Sequence, residues 1–389
     1  LPSDFRELAV ERGLIRPQLP QLKTKITDIE PVLRIILHRA GLDVSLATTA
    51  SEAATAQVIE LSSVAIHKWE RRLAPYLAEL STRLLDAGTG FAPGTWAGYD
   101  VRLVDATVVT RPGAEGTTAR VHYVLRLADL RVLRAVVTDE HGGETWRHHE
   151  DLVEPGQLWI ADRIYANPPG IAAIVSHGGQ VLVRYNRGSL PLYDAQGKRF
   201  DTLEQVRTLR GAGAVGEWPV WVHPSEGEPI RGRLCAMRLP DDRLEEARAR
   251  LHREEGHKVT AESLEAAAWV IIFTTVPRAR MKAGAVLQLY RLRWQVELEI
   301  KREKSIGGLS RLPNFRADTI ATWLQAKLLI HFVAQKIASS AGAFPPFAVE
   351  WHILACNGPP CSAPRRSSMA HQDLRLRGHP GRPDLRPAA

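Results

Sequence analysis

At Tyr99 the period of the chain changes from helical to extended, and that change narrows what the chain can fold into. Asp100 to Thr110 (Asp-Val-Arg-Leu-Val-Asp-Ala-Thr-Val-Val-Thr) is rich in β-branched residues and predicts a strand. Arg111-Pro112-Gly113 ends it as a turn. Arg120 to Leu127 and Arg131 to Thr138 predict two more strands with a short turn at Asp129 between them. Glu144 to Asp151 is expected as a short helix, and Gln157 to Ala161 as an apolar strand ending at Asp162. Pro169 to Ser176 predicts a helix and Gln180 to Tyr185 a further strand. The class is therefore α/β, with a sheet that starts antiparallel and continues through a strand–helix–strand unit.

Three hairpin-linked strands followed by strand–helix–strand is the order of a ribonuclease-H-like core, and residues 99–185 are its first part. Residues 186–276 break the alternation. Leu190 to Phe200, Val215 to His223 and Ile230 to Met237 predict strands with Gly-rich turns, and Arg243 to Glu254 and Glu262 to Ala268 predict helices. Trp269 to Val276 is a strand closed by Pro277. This stretch is expected to be an inserted, β-rich subdomain. The second part of the core, residues 277–340, carries a helix over Leu289 to Lys304 and a long amphipathic helix over Ala317 to Ala338.

Residues 1–90 form a helical N-terminal region with a basic bias from Arg6, Arg12, Arg16, Lys23, Lys25, Arg34 and Arg39. Within it, Ser62 to Leu73 and Tyr76 to Leu85 predict two helices, the first capped by Ser62 or Ser63. His67, Lys68, Arg71 and Arg72 on one flank suit either a small DNA-binding helical domain or a plain cap on the core. A linker at Gly88 to Gly98 joins this region to the sheet. Residues 341–389 are dominated by Pro, Arg, Ala, Gly and Ser without apolar periodicity, which predicts a disordered tail.

The net charge of +8 over 389 residues and the pI of about 9.6 point to a polyanionic partner. Cys235, Cys356 and Cys361 are too few and too scattered for a disulfide framework, so a reducing, cytoplasmic location is expected. No apolar run reaches membrane-spanning length and no signal peptide opens the chain, so no membrane partner is expected.

Turned at about 100° per residue, Leu289 to Lys304 splits into two faces. Leu289, Leu292, Val296 and Ile300 make a core-facing stripe, while Tyr290, Arg293, Glu297, Lys301 and Lys304 share roughly the opposite arc. Glu299 and Glu303 point towards the apolar side or its edge. By itself the polar arc suits a solvated face held by Arg293–Glu297 and Glu297–Lys301 pairs. Upstream stand two further carboxylates. Asp105 sits mid-strand among Leu103, Val104, Val108 and Val109, where a carboxylate costs free energy unless it is paired or bound to metal. Asp162 ends an apolar strand, where α/β sites gather and where a turn or N-cap Asp is equally at home. Asp139, Glu140 and Glu144 are rival carboxylates, but they lie in a turn-rich stretch, Thr138 to Gly143, that reads as a solvated loop. Three carboxylates holding two Mg²⁺ ions about 3.5–4 Å apart can stabilise both oxygens of an in-line phosphodiester displacement.

These residues resemble a known family. Tyr290, Arg293, Glu297 and Lys304 match every position of the YREK signature of the insertion-sequence-four group of DDE transposases, which are cut-and-paste enzymes. Asp105 in Val-Asp-Ala-Thr is similar to the family's first aspartate, and Asp162 in Ala-Asp-Arg-Ile-Tyr to its second. The Trp269-led strand in the β-rich insertion resembles the one whose Trp stacks near a flipped base. The resemblance spans roughly residues 45–338. It implies Asp105, Asp162 and Glu297 as catalytic ligands of two Mg²⁺ or Mn²⁺ ions, and Tyr290, Arg293, Lys301, Lys304, Trp269 and Arg163 as DNA contacts. It also implies double-stranded DNA, as terminal inverted repeats and as target, for a partner, and a homodimer in the synaptic complex. Water would nick the transposon end and the freed 3′-hydroxyl would attack DNA. The tail after Ala341 departs from the helical, dimer-forming sequence usual in the family. The rival expectations are a remnant that only binds DNA and another ribonuclease-H-like nuclease.

Overall fold

The computed structural model describes residues 1–16, 26–86, 96–256, 259–312 and 316–340. The expected tail, most of the expected linker, and Lys23 and Lys25 lie outside the described residues. The chain opens with helices α1 (Phe5–Glu11), α2 (Glu30–Leu42), α3 (Leu46–Thr55) and α4 (Ser63–Asp86). The sequence predicts a break near Pro75; instead α4 runs through it as one helix. An interior proline costs about 3 kcal/mol. The stripe Ile66, Leu73, Leu77, Leu80 and Leu84 is buried along the whole helix, and that burial outweighs the loss.

Strands β1 (Asp100–Val109), β2 (Ala119–Arg126) and β3 (Arg131–Asp139) follow, then two short 3₁₀ turns, Trp146–His148 and Glu150–Leu152, in place of the helix expected there. Next come β4 (Gln157–Ala161), α5 (Pro168–Ser176), β5 (Gln180–Arg184), α6 (Thr202–Val206), β6 (Val215–Val222), β7 (Ile230–Arg238), α7 (Asp241–Glu255), α8 (Ala261–Ala266) and β8 (Trp269–Thr274). The described chain closes with α9 (Ala283–Tyr290), α10 (Trp294–Ser305) and α11 (Ala317–Ser340). The helix expected over Leu289 to Lys304 is divided by a 3₁₀ turn at Arg291–Arg293.

All eight strands form one sheet in the order β3-β2-β1-β4-β5-β8-β7-β6. β1, β2 and β3 pair antiparallel, and β1–β4 and β4–β5 pair parallel. That half has the connectivity expected of a ribonuclease-H-like core. Of residues 186–276, three strands extend the same sheet: β8 pairs antiparallel with β5, β7 with β8, and β6 with β7. Their pairing covers the edge that β5 would otherwise leave open. The strand expected over Leu190 to Phe200 reduces to isolated bridges from Tyr193 to Arg199 and Trp221.

β4 is buried along its whole length, as a central parallel strand covered on both faces must be. Val104, Trp159, Val183, Leu234 and Phe273 pack in one core beneath it. Of the N-terminal helices, α2 and α4 sit against α11. Arg39 makes a buried 2.7 Å ion pair with Glu70, and Arg71 reaches Asp318 on α11 at 2.6 Å. Three of the four basic residues on the expected DNA-binding flank are thus engaged within the chain: Arg71, His67, whose ring lies 3.6 Å from Glu70, and Arg72, which donates to the Gly13 carbonyl at 3.3 Å.

Candidate active site

The register of the two central parallel strands brings the first two carboxylates together. Leu103 on β1 pairs with Ile160 on β4, so the same register carried two residues on sets Asp105 beside Asp162. Asp162 follows the last residue of β4 and accepts a 2.8 Å hydrogen bond from the Ile164 backbone, capping the 3₁₀ turn Arg163–Tyr165. Asp105 accepts one of 2.8 Å from the Ala106 backbone. Helix α10 supplies the third. Arg293, at its N-cap, donates to Asp105 Oδ2 at 3.2 Å and also to Glu297 one turn along the helix. A single guanidinium therefore joins the strand carboxylate to the helix carboxylate.

Electrostatics agree with that crowding. Asp105 is only 14% exposed, and its carboxyl is pushed up to about 6. Burial is the main cause, opposed by Arg293 and the Ala106 N–H and reinforced by the charges of Asp162 and Glu297. Tyr290 is also driven above its ordinary value by burial; Arg293 and Arg184 oppose this and Asp162 adds to it, so its phenol shares the same field. The Arg293 guanidinium carbon lies 5.9 Å from the Tyr290 ring centre.

The remaining residues singled out in the sequence lie around this centre. Lys304 donates to the Val108 carbonyl of β1 at 3.1 Å, pinning the far end of α10 to the strand that carries Asp105. Lys301 is exposed. Trp269 and Arg163 line a cavity of about 660 Å³ together with Arg184, Arg187, Arg243 and Arg250. Trp269 is 6% exposed, and its indole N–H is buried without a hydrogen-bond partner.

Residues 96–332 match the family model described as the transposase DDE domain. The chain belongs to that family. It is 30% identical to the transposase InsL for insertion sequence element IS186A of Escherichia coli K12, over 83% of this chain and 89% of that protein. It is likewise 30% identical to the transposase for insertion sequence element IS421 of Escherichia coli, over the same shares of the two chains. A solved structure of the catalytic domain of human endonuclease V aligns at 13% identity and a TM-score of 0.22, covering 69% of this chain and 97% of that one. That likeness is too low to bear on the fold. The chain is accordingly a DNA transposase, an enzyme that cleaves and transfers DNA strands.

DDE transposases work with divalent metal ions, and the residues present suit one. Burial raises the Asp105 carboxyl first, and the charges of Asp162 and Glu297 add a repulsion that a cation between them would relieve. Hard carboxylate oxygens are the donors that Mg²⁺ and Mn²⁺ prefer.

A second group of ligand-type side chains lies on the inner side of α10. Glu299, Glu303 and His331 bring one ligand atom each within 4.8 Å of one another. All but one of their carboxylate oxygens have donors; the exception, Glu303 Oε1, is buried without a hydrogen bond and lies 3.5 Å from His331 Nε2. Glu299 accepts from His331 at 2.8 Å, from Arg302 at 3.0 Å and from Gln335. Glu303 accepts from the Tyr123 hydroxyl. Three neutral or cationic donors on one carboxylate make this a buried hydrogen-bond network that seats α10 on β2 and α11.

Three further residues are set aside or passed over in the sequence. Glu144 reads there as part of a solvated loop, yet its side chain is 16% exposed and lies 3.5 Å from Arg120. Arg184 and Arg187 sit at the end of β5 among turn residues and line the cavity only because β8 and α7 close over them.

Proposed function

We propose that the chain is a cut-and-paste transposase of the insertion-sequence-four group, with Asp105, Asp162 and Glu297 as its catalytic carboxylates. The observation that carries this reading is the Arg293 bridge, which joins Asp105 on β1 to Glu297 on α10. These three side chains would hold two Mg²⁺ or Mn²⁺ ions. Bound there, the ions supply an activated water or 3′-hydroxyl and stabilise the departing oxygen.

The protein's own groups grip and orient the strand. With a carboxylate engaged elsewhere, Arg293 would present its N–H groups to a phosphate, as a planar fork suits. Tyr290 and Lys301 flank the same arc of α10, and Lys304 exchanges the Val108 carbonyl for a phosphate oxygen. The arginine-lined cavity accepts an extruded nucleotide, with Arg163 on its phosphate and Trp269 beneath its base. Stacking returns about 1–3 kcal/mol per base, comparable with the few kcal/mol that extrusion costs. The N-terminal helices, residues 1–90, add DNA contacts, and the 186–276 insertion supplies the cavity wall. Two copies assemble on paired transposon ends, in the cytoplasm where the chromosome lies.

The test uses purified protein, Mg²⁺ and a duplex carrying the terminal inverted repeat. The wild type is expected to nick at the end of the repeat, and Glu297→Gln to bind the duplex without nicking it. Cleavage by Glu297→Gln at the wild-type rate removes Glu297 from the site. Binding without nicking by the wild type returns the alternative of a remnant that only binds DNA.

A further inference from the structure

We propose that Glu299, Glu303 and His331 form a second cation site, which takes Zn²⁺ and clamps α10 to α11. The site shares no residue with Asp105, Asp162 and Glu297, so its test is independent of theirs. Two glutamates one turn apart on α10 face a histidine of α11. One ligand atom from each of the three side chains lies within 4.8 Å of the others. His331 Nε2 is 2.8 Å from Glu299 Oε1 and 3.5 Å from Glu303 Oε1. Donors on a four-coordinate Zn²⁺, each about 2.0–2.2 Å from the ion, stand about 3.3–3.5 Å apart. Shifts of about 1 Å or less bring these three atoms to that spacing.

The outer oxygen of each carboxylate is held by a separate donor. Tyr123 of β2 donates to Glu303 Oε2, and Arg302 donates to Glu299 Oε2 at 3.0 Å. Both Oε1 atoms are thereby turned to the imidazole. Partners of this kind orient the ligands of metal sites. Gln335 donates to Glu299 Oε1. Exchanging the two ends of its amide presents the amide oxygen at the same place, as a fourth donor.

Glu303 Oε1 is what points to an ion. It is buried without a hydrogen bond, on a residue 1% exposed. Hydrogen bonding alone leaves it unsatisfied, because His331 Nε2 carries at most one N–H and its 2.8 Å contact is with Glu299. A buried charged acceptor left so costs free energy. Burial pushes the Glu303 carboxyl up to about 7, opposed by His331 and Tyr123 and reinforced by the Glu299 charge. A dication between the two Oε1 atoms and the imidazole satisfies the orphaned oxygen and offsets both carboxylate charges. One imidazole with two carboxylates is a donor set that suits Zn²⁺, whereas Mg²⁺ prefers oxygen alone. His331 is 18% exposed, which leaves an opening to solvent on the α11 side.

The test uses full-length protein stripped by a chelator, then given one equivalent of Zn²⁺ in excess Mg²⁺, which fills all-oxygen sites. X-ray absorption at the zinc edge should show one imidazole nitrogen among oxygen donors. His331→Gln keeps a donor for Glu299 and should fold, lose the nitrogen signal and bind Zn²⁺ more than about 100-fold more weakly, beyond what loss of an outer partner costs. Tyr123→Phe removes such an outer partner and should weaken binding by about 10-fold. No Zn²⁺ binding by the wild type, or binding through oxygen alone, overturns the proposal and leaves a proton on Glu303 in place of an ion. Wild-type affinity in His331→Gln overturns it equally.

Discussion

Arg293 and Asp105 stand 188 residues apart in sequence and 3.2 Å apart in space. Their bond ties α10 to β1, and the same guanidinium also donates to Glu297. The cluster is an arrangement of one strand, one strand end and one helix, joined by a guanidinium.

Arg293→Ala should therefore act on stability before it acts on chemistry. It leaves Asp105 buried beside Glu297 with no cation between them. Breaking a buried pair costs about 3–5 kcal/mol, and the partial exposure of Glu297 reduces this to about 2 kcal/mol here. Thermal unfolding without metal should show the loss, and added Mg²⁺ should recover more stability in the variant than in the wild type. Equal melting temperatures for the two proteins would show that the bridge carries no strain relief. Arg293→Lys keeps the charge and loses the fork, so it should keep most of the stability while DNA nicking falls.

The raised Asp105 carboxyl predicts a pH dependence with a definite sign. Its folded value of about 6 lies above its ordinary 3.8, so the folded protein binds the proton more tightly than the unfolded chain. Stability from this group is present below about pH 4 and is lost as pH rises to about 6. Asp105→Asn removes that slope. In metal-free buffer the variant should match the wild type near pH 4 and exceed it at pH 7.5, by up to about 3 kcal/mol. Parallel stability curves for the two proteins across this range would contradict a buried, crowded carboxylate.

Trp269 separates packing from recognition. Trp269→Ala should cost about 3–5 kcal/mol as a core truncation, whereas Trp269→Phe keeps an aromatic face and most of that packing. With 2-aminopurine placed next to the cleavage site, fluorescence should rise when the wild type binds. Trp269→Phe should retain much of the rise and Trp269→Ala little of it. An identical rise in all three proteins would leave Trp269 as a core residue alone.

Much of this organisation is local enough to read from the chain. The β-branched run around Asp105, the apolar run ended by Asp162 and the period of Leu289 to Lys304 each declare an element through its own side chains. Helical phase also chooses among the glutamates. Glu297 joins Arg293 at the carboxylates, while Glu299 and Glu303 are 2% and 1% exposed on the inner face. The family signature rests on such local spacings.

Other features have no local signature. Pro75 predicts a break that α4 ignores, because the continuous stripe buried beneath it outweighs one lost hydrogen bond. β6, β7 and β8 read as an insertion, and only pairing along the β5 edge makes them part of the sheet. Glu144 stands beside turn residues, and it is the Trp146–Tyr165 bond and the Arg120 contact that bring it in from the surface. By itself the sequence determined which side chains face inward or outward on each strand and helix, since periods of 2 and 3.6 residues are properties of the local backbone. Which faces meet was decided only by the tertiary structure. Contacts such as Arg293 with Asp105 depend on strand register and helix docking, and those are set by burial summed over the whole core.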